Sequence, residues 1–109
     1  QGWVPDAGAP ERWIAAAAAA GMKYAVLTTR HHDGYALWPS RFGAHGVAGA
    51  APGVDIVRAF VDACRRHGLR IGFYYSLPDW RHPDYPAFAD ADRPYRFGSY
   101  PRASAAQWA

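Results

Sequence analysis

Two short apolar runs constrain the fold of this chain more than any other feature of its sequence. The runs are YAVLTT at 24–29 and RIGFYYS at 70–76, and neither alternates between apolar and polar residues. Such a run is typical of a parallel strand that is buried on both faces. Each run follows a segment with helical features. The order helix, strand, helix, strand therefore predicts an α/β fold that contains one βαβ unit.

The two helical segments are recognised by their end signals. In the first, Pro10 stands at a first helical position and Gly21 is a natural left-handed stop, which predicts a helix near 10–20. Its six consecutive alanines suggest a helix that packs closely against a sheet. In the second, Asp55 is a candidate N-cap, apolar residues recur at helical spacing, and a glycine follows. This pattern predicts a helix near 55–67.

The connections differ in length in a way that bears on function. We expect helix-to-strand connections of two or three residues, whereas the strand-to-helix connections are long and carry His, Asp, Trp and Tyr residues. In (β/α)₈ barrels and doubly wound sheets, functional groups lie on the loops after the carboxyl ends of the strands. No Gly-rich phosphate loop follows either strand, which disfavours nucleotide binding.

Composition disfavours several classes of protein. Half of the 109 residues are hydrophobic and 16% are aromatic, so the chain is no disordered tail and is long enough for one modest domain. The net charge of +3 comes from Arg and Lys residues scattered without a basic run, which gives nucleic-acid binding little support. The apolar tract at 13–22 is too short and too rich in Ala to span a membrane. Cys64 lies in an apolar helical pattern and is expected to be a small buried hydrophobe.

A polar cluster follows the first strand, in the segment TTRHHDGYALW at 28–38. Three interpretations are open: a metal site, a substrate site, or polar residues that end a strand. A metal site is disfavoured because adjacent residues of an extended chain, such as His31 and His32, point to opposite sides, and because neither has a partner at zinc spacing. Neutral imidazoles and aromatic faces together suit a polyhydroxylated ligand. Residue types alone leave the substrate site and the strand end about equally supported.

Two blocks, GMKYAVLTTRHHDGYALWPSRF and then DIVRAFVDACRRHGLRIGFYYSLPDW, resemble glycoside hydrolase family 29, the α-L-fucosidases. The resemblance extends from about Trp13 to Pro86. Arg30 stands where this family commonly has Lys, and Tyr35 where it commonly has Phe. The resemblance implies that 1–109 is a segment of a single catalytic (β/α)₈ TIM-barrel domain. It implies hydrolysis of terminal α-L-fucosides with retention of configuration, and no cofactor.

The same resemblance assigns residues to the substrate, a fucoside or fucosylated glycan. His31 and His32 match the family's paired histidines, which hydrogen-bond fucose hydroxyls. Tyr74 matches a tyrosine of the same pocket. Asp33 is expected to orient the histidine loop, and Gly34 to allow its sharp turn.

The catalytic groups of the family are not expected in this chain. The nucleophile belongs to a Trp-x-Asp type segment on a later strand and the acid/base lies later still, and neither segment occurs here. Asp33, Asp79 and Asp84 are therefore given no catalytic role. Trp38 and Trp80 either border the pocket or pack in the core.

The other residues carry no assigned chemistry. Arg30 and His67 are interpreted as structural or surface residues. From Leu77 onward, repeated prolines predict irregular structure, with one possible short helix at 103–109. The chain begins at Gln1 without a visible signal peptide, and we expect it to be a piece of a larger protein. Two alternatives to a fucosidase remain: a non-catalytic sugar-binding barrel protein and another barrel glycosidase.

Overall fold

The elements of the chain match the predicted order. A computed structural model describes residues 4–43, 45–82 and 84–85. Both predicted strands and both predicted long helices are present, and the possible helix at 103–109 lies outside the described residues. A short additional helix in the long loop was not predicted, because its sequence VAGA has no apolar helical period. The elements are α1 (Ala9–Ala19), β1 (Tyr24–Arg30), α2 (Val47–Ala50), α3 (Ile56–His67) and β2 (Arg70–Tyr75).

The two strands pair directly with each other and run parallel. Thr28 lies opposite Tyr74, and an irregularity in the register then brings Arg30 opposite Tyr75. This pairing confirms the βαβ unit. Because parallel strands end at the same edge of a sheet, the residues that follow β1 and β2 become neighbours.

One face of the sheet packs against the helices. α1 packs chiefly against α3, so the expectation that the alanine run lies directly on the sheet is wrong. The axes of two neighbouring strands are about 4.8 Å apart. A two-stranded sheet therefore has room on one face for about one helix, whose diameter is about 10 Å. α3 occupies this face. Cys64 is fully buried as predicted, and burial raises the pKa of its thiol. The buried cluster consists of Ile14, Phe60, Ala63, Cys64 and Leu69, with Ala17, Ala18, Ala25, Leu27 and Ile71 against it.

The other face of the sheet is exposed. Tyr24 is 66% exposed, Val26 57% and Tyr74 44%, and all three lie on the face opposite α3. The expectation that the strands are buried on both faces is therefore wrong for this chain. In the part of the chain that the structure describes, helices cover one face only.

The helix ends follow the signals in the sequence. The Asp55 carboxylate accepts a hydrogen bond from the Arg58 amide at 2.8 Å, which caps α3 as predicted. Gly21 and Gly68 have φ values of +81° and +71°, in the left-handed region that favours glycine. The connection from α1 to β1 covers 20–23 and is slightly longer than expected, because two more residues follow the turn at Gly21. No helix among the described residues has the length and apolar character needed to cross a membrane.

Candidate functional site

The polar cluster lies where the carboxyl ends of β1 and β2 meet. The chain turns sharply after Arg30, and the Gly34 amide donates a hydrogen bond to the His31 carbonyl at 3.0 Å. Gly34 has a φ of +79°, as its expected role in a sharp turn requires. The Leu37 amide then donates to the Thr29 carbonyl at 3.0 Å, so the loop folds back onto the end of the strand.

Four rings form a row along this edge, which we call the ring row: Tyr74, His31, His32 and Trp80. The ring centroids of Tyr74 and His31 are 5.7 Å apart, and those of His31 and His32 are 3.7 Å apart. The Trp80 ring lies 4.7 Å from that of His32. The three residues assigned to the substrate are thus adjacent, and Trp80 extends their row.

The adjacency of the two histidines corrects one premise of the sequence analysis. His31 and His32 do not point to opposite sides, because β1 ends at Arg30 and the backbone is no longer extended beyond it. Within the described ranges, no group of three or more His, Cys, Asp or Glu side chains is arranged to hold a metal ion.

His32 is held in place from the β2 side. Its Nδ1 lies 2.6 Å from the Oγ of Ser76, a residue that is only 4% exposed. The His32 carbonyl accepts a hydrogen bond from the Trp80 amide at 2.7 Å. His31 is exposed and rests against the Tyr74 ring at an interplanar angle of 27°. Ser76 had no assigned role in the sequence analysis, since no local pattern links it to a histidine 44 residues earlier.

Arg30 ties the ends of the two strands together. Its guanidinium donates to the Ser76 carbonyl at 3.1 Å and forms an ion pair with Asp79. It also lies 5.5 Å from the centre of the Tyr75 ring. Because its side chain is only 11% exposed, Arg30 is a structural residue and not a surface residue. The Asp79 carboxylate is engaged by this ion pair.

Three other residues singled out from the sequence have local contacts. The Asp33 carboxylate accepts a hydrogen bond from the Tyr35 amide at 3.1 Å, which orders the loop after the histidines.

His67 lies 2.7 Å from a carboxylate oxygen of Glu11, so it joins α3 to α1. Hydrogen bonds from Arg66 and His67 lower the pKa of Glu11. The Trp38 ring lies 6.3 Å from Tyr75 and is not part of the ring row.

Two clefts open beside the ring row. A cleft of about 500 Å³ includes Arg30, Trp38, Tyr75 and Asp79 in its lining. A second cleft of about 560 Å³ is lined by Thr28, Arg30, His31, Asp33, Tyr35, Leu37 and Ala50. His32 and Tyr74 line neither cleft. The ring row is a wall at the edge of the sheet, and His31 is its member that lines the second cleft.

Replacing Gly34 should destabilise the histidine loop. A Cβ at this position would lie 2.7 Å from Oδ1 of Asp79, and the φ of +79° strains any other L residue. In the full-length protein, Gly34→Ala should lower the free energy of unfolding by about 2–4 kcal/mol, of which the left-handed backbone accounts for about 1–2 kcal/mol. Urea unfolding monitored by circular dichroism measures the loss.

Gly21→Ala is the matched control for that variant. Gly21 has nearly the same φ, +81°, but nothing lies within 4 Å of its Cβ position. It should therefore show the backbone cost alone. An equal loss in the two variants would mean that the approach of Asp79 to Gly34 has no energetic consequence.

Comparison with known proteins identifies the family of this chain. The family model described as alpha-L-fucosidase matches residues 1–107. Human tissue alpha-L-fucosidase is 42% identical over 77 residues, which cover 70% of this chain and 16% of the human protein. The chain thus spans about a sixth of the length of such curated relatives.

Solved structures show the same likeness. Alpha-L-fucosidase isoenzyme 1 from Paenibacillus thiaminolyticus superposes with a TM-score of 0.68 and 43% identity, over 84% of this chain and 24% of that one. A GH29 alpha-L-fucosidase from Bacteroides thetaiotaomicron gives 0.68 and 35%, over 84% of this chain and 21% of that one. The Bacteroides structure is a trapped covalent intermediate in complex with 2-fluoro-fucosyl fluoride. With its matching motifs and fold, this chain belongs to the α-L-fucosidase family, glycoside hydrolase family 29.

Proposed function

We propose that this chain is part of a retaining α-L-fucosidase and that His31, His32 and Tyr74 bind the fucose unit of its substrate. The ring row carries the proposal, because it brings these three side chains together from the ends of two strands. A neutral imidazole nitrogen either donates or accepts a hydrogen bond and so suits a sugar hydroxyl, and Nε2 of His32 remains for this role because Nδ1 contacts Ser76. The ring faces suit the apolar side of a sugar. Together they make one wall of a monosaccharide site.

We further propose that 1–109 is a segment of one catalytic (β/α)₈ barrel. Two parallel neighbouring strands joined through α3 are the repeating unit of that architecture. The exposed sheet face also supports this. Tyr74, at the carboxyl end of β2, would face the proposed sugar site, whereas Tyr24 and Val26 would be covered in the packed interior of a closed barrel. Their exposure here is then a consequence of missing neighbouring strands.

The catalytic carboxylates are proposed to lie outside this segment. Asp79 is committed to the ion pair with Arg30, and Asp33 to the turn at Tyr35. A retaining mechanism needs two carboxyl groups about 5–5.5 Å apart and passes through a covalent glycosyl-enzyme. The covalent intermediate trapped in the Bacteroides relative is a species of that kind. The residues of this chain would bind and orient the sugar, without attacking it.

The stereochemistry of the product tests the proposal. The full-length protein that contains this segment, given an aryl α-L-fucoside, should release the α anomer of fucose first, because two displacements at one carbon restore its configuration. Proton NMR early in the reaction distinguishes the anomers. The β anomer appearing first would contradict retention. Binding of fucose without turnover would favour a sugar-binding protein, and faster cleavage of another glycoside would favour a different glycosidase.

A further inference from the structure

Ser76 is a buried hydroxyl placed against one of the two histidines. It directly follows β2, is 4% exposed, and its Oγ lies 2.6 Å from Nδ1 of His32. Arg30 holds its backbone on both sides: the Ser76 amide donates to the Arg30 carbonyl at 3.0 Å, and the guanidinium donates to the Ser76 carbonyl at 3.1 Å. These contacts fix the backbone that carries the hydroxyl, and they do not involve the histidine.

Hydrogen bonding at this contact favours one tautomer of His32. A neutral imidazole carries one N–H, and a serine hydroxyl carries one hydrogen. Ser76 Oγ has one hydrogen-bond partner within the described part of the chain, and this partner is Nδ1 of His32. If Nδ1 carried the hydrogen, the serine hydrogen would be buried without an acceptor, which is costly. If Oγ–H donates to Nδ1, both groups are satisfied and Nε2 carries the hydrogen.

Neighbouring groups restrict the orientation of the same ring. The His31 ring lies 3.7 Å from it and the Trp80 ring 4.7 Å, measured between centroids. The Trp80 amide also binds the His32 carbonyl at 2.7 Å. The serine hydrogen bond at Nδ1 and this packing leave the ring little freedom to turn. The ring of His31 is not restrained in this way, since no hydrogen bond to its nitrogens is found among the described residues.

We infer that Ser76 is a positioning residue that holds His32 as the Nε2–H tautomer, so that His32 acts as a hydrogen-bond donor to an oxygen of the sugar. The inference rests on the proposed role of His32 in fucose binding. Ser76 itself does not contact the sugar. Its contribution to turnover passes through the histidine, as a partner behind a binding side chain does when it selects one tautomer.

A double-mutant cycle in the full-length enzyme tests whether Ser76 acts through His32. Ser76→Ala should lower kcat/KM for an aryl α-L-fucoside roughly tenfold, the effect of one buried hydrogen bond. In a His32→Ala background, the same change should cost less than about twofold, because the group it positions is gone. In a His31→Ala background, the roughly tenfold loss should persist, which makes this the matched control. A tenfold loss in the His32→Ala background would overturn the inference.

The tautomer can be read independently of activity. In protein labelled with ¹⁵N-histidine, at a pH where imidazole is neutral, the resonances that vanish in His32→Ala should show the Nε2–H pattern. Ser76→Ala should convert them to an average of both tautomers. An Nδ1–H pattern in the unmutated protein would refute the inference. Because this measurement needs no turnover, it separates failure of this inference from failure of the proposed fucosidase activity, which the product assay reports.

Discussion

Residues 1–109 produced alone should release no product from an aryl α-L-fucoside above a buffer blank. Enzymes accelerate such reactions by at least about a millionfold, and here the loss should be complete, because the described residues contain no unengaged pair of carboxylates beside the ring row. Asp79 forms an ion pair with Arg30, and the Asp33 carboxylate accepts a hydrogen bond from the Tyr35 amide. The roles that we propose for His31, His32 and Tyr74 are in sugar binding, and a retaining mechanism needs two carboxyl groups in addition to them.

The isolated segment should also be poorly soluble or only loosely packed. Tyr24, Val26 and Tyr74 leave an apolar sheet face exposed, and the outer edges of both strands lack partners within the described residues. Near-UV circular dichroism and dye binding measure the packing. The full-length protein, assayed in the same buffer, is the positive control. Reproducible turnover by the segment that disappears in Asp33→Asn or Asp79→Asn would place the catalytic groups here and contradict the proposal.

Alanine at either histidine should reduce fucosidase activity strongly. In the full-length protein, His31→Ala and His32→Ala should each lower kcat/KM by roughly 10- to 100-fold or more, because each removes a side chain that we propose hydrogen-bonds the sugar. Steady-state kinetics with an aryl α-L-fucoside measure the effect. His67→Ala is the matched control, since His67 pairs with Glu11 between two helices, and it should leave kcat/KM unchanged.

The two histidine variants should differ in stability. His31 is exposed, so its loss should change the melting temperature little. His32→Ala leaves the buried Ser76 hydroxyl without its partner and should cost about 1–3 kcal/mol. Thermal unfolding measures both. A large loss of melting temperature with unchanged kinetics in either variant would indicate that the histidine merely ends a strand.

Local chemistry determined the secondary structure of this chain. Asp55 caps α3 through an amide three residues away, and Gly21 and Gly68 adopt the left-handed conformation that ends each long helix. These signals act over a few residues, so they are readable without a fold. The motif around His31 and His32 likewise identified the family before any geometry was known. Family membership and the βαβ order were thus predictable from the sequence.

Contacts between distant residues were decided only by the tertiary structure. The pairing of His32 with Ser76 depends on which strands are neighbours and on the register that brings Arg30 opposite Tyr75. No local pattern encodes that register, because it is set when the two strands pack on α3. The packing of α1 on α3 and the exposed sheet face have the same origin, since burial depends on which neighbours are present. The sequence by itself therefore determined the family and the order of the elements, and the tertiary structure decided which distant side chains contact one another.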